Sequence, residues 1–219
     1  KARRTAQTVQ CMSNMRQLIL AQRSYANDFD GALVGFGIPE GGGALDTPTW
    51  VDQLDEYYDS DLVIRSPVDT SPHWPTELGG SGVPGPDGRF RVTSYGLNEL
   101  VTPNTTVVDP ETGIPMRRFG NVFRIKNPHA VIQFVIMAYE GPFSVADHVH
   151  PFDWWLAFNP DGWPRRAAQQ VQTDAHGGPE ANARSRSNYP FLDGHVGTFE
   201  IQEVYEGPER NNFDPRFAR

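Results

Sequence analysis

KARRTAQTVQCMSNMRQLILAQRSYANDFD, residues 1–30, reads as one continuous helix. From Cys11 the apolar or semi-apolar side chains recur at three- and four-residue steps: Cys11, Met15, Leu18, Gln22, Tyr25 and Phe29, with Met12, Ile19 and Ala26 beside them. Ser13, Asn14, Gln17, Arg23, Ser24 and Asn27 fall on the other side. Helix formers dominate, neither Pro nor Gly interrupts, and Gly31 stands just past the end, where a helix stop belongs. The spacing predicts a back half that packs on a domain, with Leu18, Ile19 and Tyr25 buried. The front, residues 1–10, has no apolar stripe, so Arg3, Gln7 and Gln10 are expected to be exposed. The chain opens on Lys1 with the helix already under way, and the expectation is a longer rod that continues upstream.

Lys1, Arg3, Arg4, Arg16 and Arg23 precede the first acid, Asp28. The 14 basic residues that remain of the 19 face 27 acids, a balance of −13 against the helix's +5, for a net −8. A basic helix on an acidic body fits a nucleic acid, a membrane surface or a plain solvated helix end, and the acidic total argues against a nucleic-acid partner. At 219 residues one core-forming unit is expected, with residues 1–30 as helix and 31–219 as a head. The 21 glycines and 19 prolines, near one residue in five, exceed the average of roughly 12% and predict long irregular connections. One cysteine leaves no internal disulfide, and no run of eighteen apolar residues occurs.

Along the head, residues 31–46 read as a surface loop whose Gly41-Gly42-Gly43 lacks the Gly-Lys-Ser/Thr of a phosphate cradle. Thr47-Pro48 reads as a cap and first turn for a short helix through Trp50, Leu54 and Tyr57-Tyr58. Residues 70–92 form a Pro/Gly-rich loop with Trp74 exposed, and residues 101–120 form another, carrying the sequon Asn104-Thr105-Thr106. Val131 to Met137, apolar on both faces, is expected to be a central strand, and Trp154-Trp155-Leu156-Ala157-Phe158 a second strand. Tyr189-Pro190-Phe191-Leu192, Asp193-Gly194 and His195 to Ile201 predict a hairpin on a type I′ turn. Residues 207–219 read as an exposed tail. The fold class expected is α+β, with the long helix laid across an antiparallel sheet.

Asp147, His148, His150 and Asp153 are the candidate metal ligands. Strand alternation would put both imidazoles on one face, where Zn²⁺ or Fe²⁺ could serve a cupin-like enzyme. Pro151 interrupts that strand and Asp153 falls at the wrong register, so a solvated loop is the alternative reading. Nucleophilic catalysis has no support: Gly-x-Ser-x-Gly does not occur, and Cys11 has no nearby His in sequence. Trp74, Trp154, Trp155 and Trp163 fit either a glycan-binding surface or core anchors.

The opening stretch through Leu18, then Ala21…Tyr25-Ala26-Asn27-Asp28…Gly31, resembles the segment after the membrane helix in a prepilin-like family related to type II secretion pseudopilins and abundant in planctomycete-type bacteria. Ser94-Tyr95-Gly96-Leu97-Asn98 and Asn127-Pro128 match further elements, and the family's C-terminal signature is a His followed, after about nine residues, by Asp-Gly. Here sixteen residues separate His176 from Asp193-Gly194, with His195 next. These signature residues either converge on an ion or partner, or serve a turn and a local hydrogen bond. The family's Cys-Pro-x-Asp element is Ser66-Pro67-Val68-Asp69 here, which removes a disulfide partner for Cys11 and leaves a buried free thiol expected.

The resemblance implies a pilin-like fold and a non-catalytic filament subunit of a type IV pilin-like or type II secretion system. It also implies an upstream prepilin leader and membrane helix, other pilin subunits as partners through the N-terminal helix, and a cell-envelope location. The precursor would cross the inner membrane once, with its head periplasmic or extracellular. No cofactor is expected except calcium, which major pseudopilins often bind in a loop and for which Asp69, Asp87, Asp109, Asp147, Asp161 and Asp174 are the loop carboxylates.

Overall fold

The computed structural model describes residues 2–38, 48–103 and 119–219, with backbone alone at 61 and 62. The chain is mixed α+β, led by helix α1 (Ala2–Asp28). The helix stops where the sequence places a stop. Asp30 (φ 51°) and Gly31 (φ 84°) both turn left-handed, and the Gly31 N–H donates back to Ala26 O at 2.6 Å. That bond satisfies a carbonyl the helix leaves open.

The apolar stripe is buried as expected: Cys11, Met15, Leu18 and Ile19 are fully enclosed, against Trp50, Leu54, Tyr95, Leu97, Phe134 and Ile136. Each such side chain contributes roughly 1.5–3 kcal/mol by burial. Tyr25 and Met12 are only half-buried, and Phe29 at 52% exposure lies off the packed face. Asn14, read as polar-side, is buried because its Nδ2 donates to Arg65 O at 3.0 Å.

Helix α2 (Trp50–Leu54) continues into a 3₁₀ turn over Asp55–Tyr57. Its cap is Thr49, which exchanges hydrogen bonds with Asp52 in a capping box. Thr47, the cap expected from sequence, lies outside the described residues, as do Gly41-Gly42-Gly43 and the sequon at Asn104.

Among the described residues the strands form three small sheets in place of the one antiparallel sheet expected. β1 (Tyr95–Asn98) lies between β2 (Phe134–Ile136), antiparallel, and β3 (His148–Val149), parallel. Gly96 in β1 crosses Met137 so closely that a Cβ would stand 2.0 Å from its sulfur. The segment 131–138 is buried throughout and bonded on both sides, to β1 and, through Gln172 N to Ile136 O (2.8 Å), to the chain after helix α3 (Trp163–Gln170). The burial expected of it holds, but the strand covers only Phe134–Ile136 and stands at the edge of its sheet, with β1 at the centre.

The second sheet is the hairpin β4 (Arg186–Pro190) and β5 (Val196–Glu200). Its turn is longer than the two-residue type I′ expected. Gly194 N–H donates to Phe191 O, Phe191 N–H donates to His195 O, both at 2.9 Å, and only Gly194 (φ 105°) is positive. One left-handed glycine after a β-turn closes the loop, so Asp193 needs no strain. Strands β6 (Tyr205–Gly207) and β7 (Arg210–Asn211) form the third sheet.

Three other expectations fail for tertiary reasons. Trp154 lies in a 3₁₀ turn, Pro151–Trp154, and no strand forms over 154–158. Trp74 is 1% exposed, under the Arg65 guanidinium at 4.5 Å. Residues 207–219 are no tail: Phe213 is fully buried beside Trp154, its carbonyl accepts Asn98 Nδ2 at 2.7 Å, and Asn212 O accepts Ile132 N at 2.8 Å.

Candidate functional site

The surface that the sequence singles out is the bed of α1, and the signature residues lie along it at two places. At the front, Thr8 Oγ1 is 3.2 Å from His176 Nδ1, Asn188 Nδ2 donates to Thr8 O at 3.2 Å, and Gln7 Nε2 donates to Pro67 O at 2.9 Å. Gln7 is therefore half-buried, against expectation, while residues 2–6, Val9 and Gln10 are exposed. At the back, Arg23 Nη1 donates to Asp193 O at 2.9 Å. Beside it Gln22 faces inward: its Oε1 accepts Val34 N at 3.1 Å and Gln133 Nε2 at 3.0 Å.

Thr8 and Arg23 are separated by about 22 Å of helix, at 1.5 Å per residue. His176, Asp193 and His195 therefore do not converge on one ion. His176, ahead of β4, and Asp193, in the β4–β5 turn, each bond the same helix, and His195 supports Asp193. At the far end, partial burial of the Asp193 carboxyl is outweighed by the hydrogen bonds of the His195 N–H (3.1 Å) and ring (2.6 Å), and its pKa is lowered. His195 in turn stacks on Phe191 at 4.1 Å.

At the near end, burial lowers the His176 imidazole to about 4, so it is neutral at pH 7. Its Nε2 is shielded from solvent with no hydrogen-bond partner among the described residues. The ring borders a groove of ≈ 470 Å³ between Arg4, Gln7 and Thr8 of α1 and the turns at Pro67 and Gly177.

The Asp147-His148-Val149-His150 stretch is not a solvated loop. Asp147 is fully buried and His148 is 2% exposed. Asp147 Oδ2 accepts Gly37 N at 2.8 Å, and Oδ1 accepts Ile38 N at 3.3 Å and lies 3.0 Å from His148 Nδ1. These bonds fasten the chain after α1 to β3. His148 stacks on Phe36 at 3.8 Å, and His150, just past β3, sits 3.1 Å from Glu99 Oε1. The two imidazoles do meet, 4.7 Å apart at 64°, but each faces its own carboxylate, and Asp153 is exposed.

No group of three or more His, Cys, Asp or Glu side chains is placed to hold a metal ion among the described residues. Glu99 is the member that sequence reading missed. It follows Ser94-Tyr95-Gly96-Leu97-Asn98 directly, and a carboxylate after a buried strand was the available signal.

The loop carboxylates are dispersed. Asp69 pairs with Arg91 at 2.9 Å with both side chains fully buried, Asp87 pairs with Arg89, and Asp174 accepts Gln172 Nε2 at 2.7 Å. Asp161 is exposed, and Asp109 lies outside the described residues. The tryptophans are packing groups: Trp50, Trp74 and Trp154 are buried, Trp163 is 8% exposed, and Trp155 lies against Gly207. No protein-family model, curated protein or solved structure matches the chain.

Proposed function

We propose that this chain is the head-bearing part of a structural subunit of a pilin-like filament, of the type IV pilin or type II secretion pseudopilus kind, with no catalytic role. The observation that carries the reading is α1. A single 27-residue helix is sealed into the core over its back half and exposed over residues 2–6, where it carries Arg3 and Arg4. A helix held at Thr8 by His176 and at Arg23 by Asp193 is fixed in direction, so force applied to its front is delivered to the head.

None of the described helices is long and apolar enough to cross a membrane, so anchoring would fall to an upstream apolar helix. In that arrangement Arg3 and Arg4 lie near anionic headgroups before extraction, other subunits pack on the front of the helix, and the head is presented in the cell envelope.

The test is expression of the gene with its upstream coding sequence, a prepilin peptidase and an assembly apparatus. Processed subunits in filaments visible by electron microscopy are the expected result. A full-length product that keeps no processed leader, stays out of the membrane and turns over a small molecule would overturn it.

A further inference from the structure

At the back end of α1 two aromatic rings, Phe29 and Phe123, stand outside the core, beside Tyr25 and Tyr57, which pack partly against it. Phe29 and Tyr25 rings lie 4.5 Å apart, Tyr25 meets Tyr57 edge-on at 5.8 Å, and Phe123 lies over Gly31, 2.4 Å from where a Cβ would stand. Phe123 is 71% exposed and Phe29 52%, among the most exposed large apolar side chains described. Four exposed carboxylates, Asp28, Asp30, Asp55 and Glu56, neighbour these rings in sequence, against three exposed cations, Arg124 and Lys126 beside Phe123 and Arg23 before Tyr25, the last turned to Asp193 O. Tyr57 Oη donates to Asp28 Oδ2 at 3.0 Å. None of the four acids is in an ion pair among the described residues.

The complementary surface is on the same molecule. Arg3 and Arg4 are exposed on the first turn of α1, without an ion-pair partner among the described residues. Arg4 and Asp28 are separated by about 36 Å of one rigid helix, so they cannot meet within a molecule. Guanidinium groups over aromatic faces, ringed by carboxylates, combine cation–π attraction with ion pairing.

We propose that the aromatic face at Phe29 and Phe123 receives the arginine-bearing front turn of α1 from a second copy of the chain, head to tail. The contact joins two different surfaces, so each added copy leaves one of each free and the association propagates. This inference deepens the filament reading and rests on it for its setting, since it names the surface by which successive subunits would keep register. It is electrostatic and small, so for the chain alone it is weak and weakened by salt.

Charge exchange tests it. Sedimentation of the chain at high concentration and low salt should show self-association that high salt abolishes. R3E/R4E and D55K/E56K should each weaken it about tenfold or more, roughly 1.4 kcal/mol. Mixing the two variants should restore association, because the reversed arm of one now fits the reversed rim of the other. Phe123→Ser should weaken it with an unchanged melting temperature. Equal association by wild type and variants, no rescue on mixing, or binding to anionic vesicles by Arg3 and Arg4 with no self-association would each overturn the proposal. Filaments that form equally well from the charge variants would overturn this surface and leave the filament reading standing. Self-association that obeys the charge swap in a full-length protein that never forms filaments would do the reverse.

Discussion

The Cys11 thiol and the Ser66 hydroxyl face each other at 3.6 Å across the seam between α1 and the head. Tyr95 Oη lies 3.7 Å from the same sulfur. Burial pushes the thiol pKa up, so Cys11 is held as an inert neutral group. The seam joins residues 55 apart in sequence, where a covalent link would fasten the helix to the head.

Ser66→Cys should therefore form a disulfide with Cys11 on mild oxidation. The expected gain is about 2–4 kcal/mol, from restriction of the unfolded chain. Thiol titration should fall from two groups to none, and the melting temperature should drop again with reductant. Two free thiols persisting in a folded, oxidant-treated variant would show that the side chains do not approach as described.

Leu18 is fully enclosed while Val9 is 59% exposed on the same helix. Leu18→Ala should cost about 2–5 kcal/mol, and Val9→Ala should fall within about 0.5 kcal/mol of wild type. Chemical denaturation of both variants checks this. Equal losses would mean that the helix is not seated by its back half.

Arg91 and Asp69 form a fully buried ion pair, and the guanidinium also donates to Ala138 O at 2.7 Å and Met137 O at 3.1 Å. Arg91→Met strands the Asp69 charge and should cost about 3–5 kcal/mol, while replacing both partners by apolar groups should cost less. A double-mutant cycle in urea measures the difference. Additive losses would argue that the pair is not coupled.

His176 titrates near 6.5 when unfolded and about 4 when folded, because burial disfavours the charged ring. The unfolded state thus binds more protons between those values, and stability falls as pH drops through that window. The expected loss is about 1–2 kcal/mol after allowance for partial exposure. His176→Gln should flatten the slope while keeping a polar group beside Thr8. Unfolding curves at about pH 7.5 and about pH 5 decide it, and an equal drop in both proteins would remove His176 as the cause.

What residues 1–30 determine by themselves is a helix, its buried stripe and its stop, because those depend on side chains three and four positions apart and on a glycine at positive φ. The burial of Val131 to Met137 is equally legible, since apolar groups on both faces have nowhere to go but a core, but its place in the sheet is not: β1 takes the centre and β2 the edge. The candidate site was legible only as a set of residue types. Whether His148 and His150 bind a metal, lie in solvent or pack in a core depends on Phe36, Gly37 and Glu99, which reach them from distant parts of the chain. The same holds for His176 and Asp193: sequence pairs them as a signature, yet the hairpin sets them at opposite ends of α1. Asn14 and Phe213 took their buried places from the Arg65 carbonyl and the Trp154 ring. Local periodicity encodes which face of an element is apolar, but only the assembled chain supplies the partners that decide what each polar group on it does.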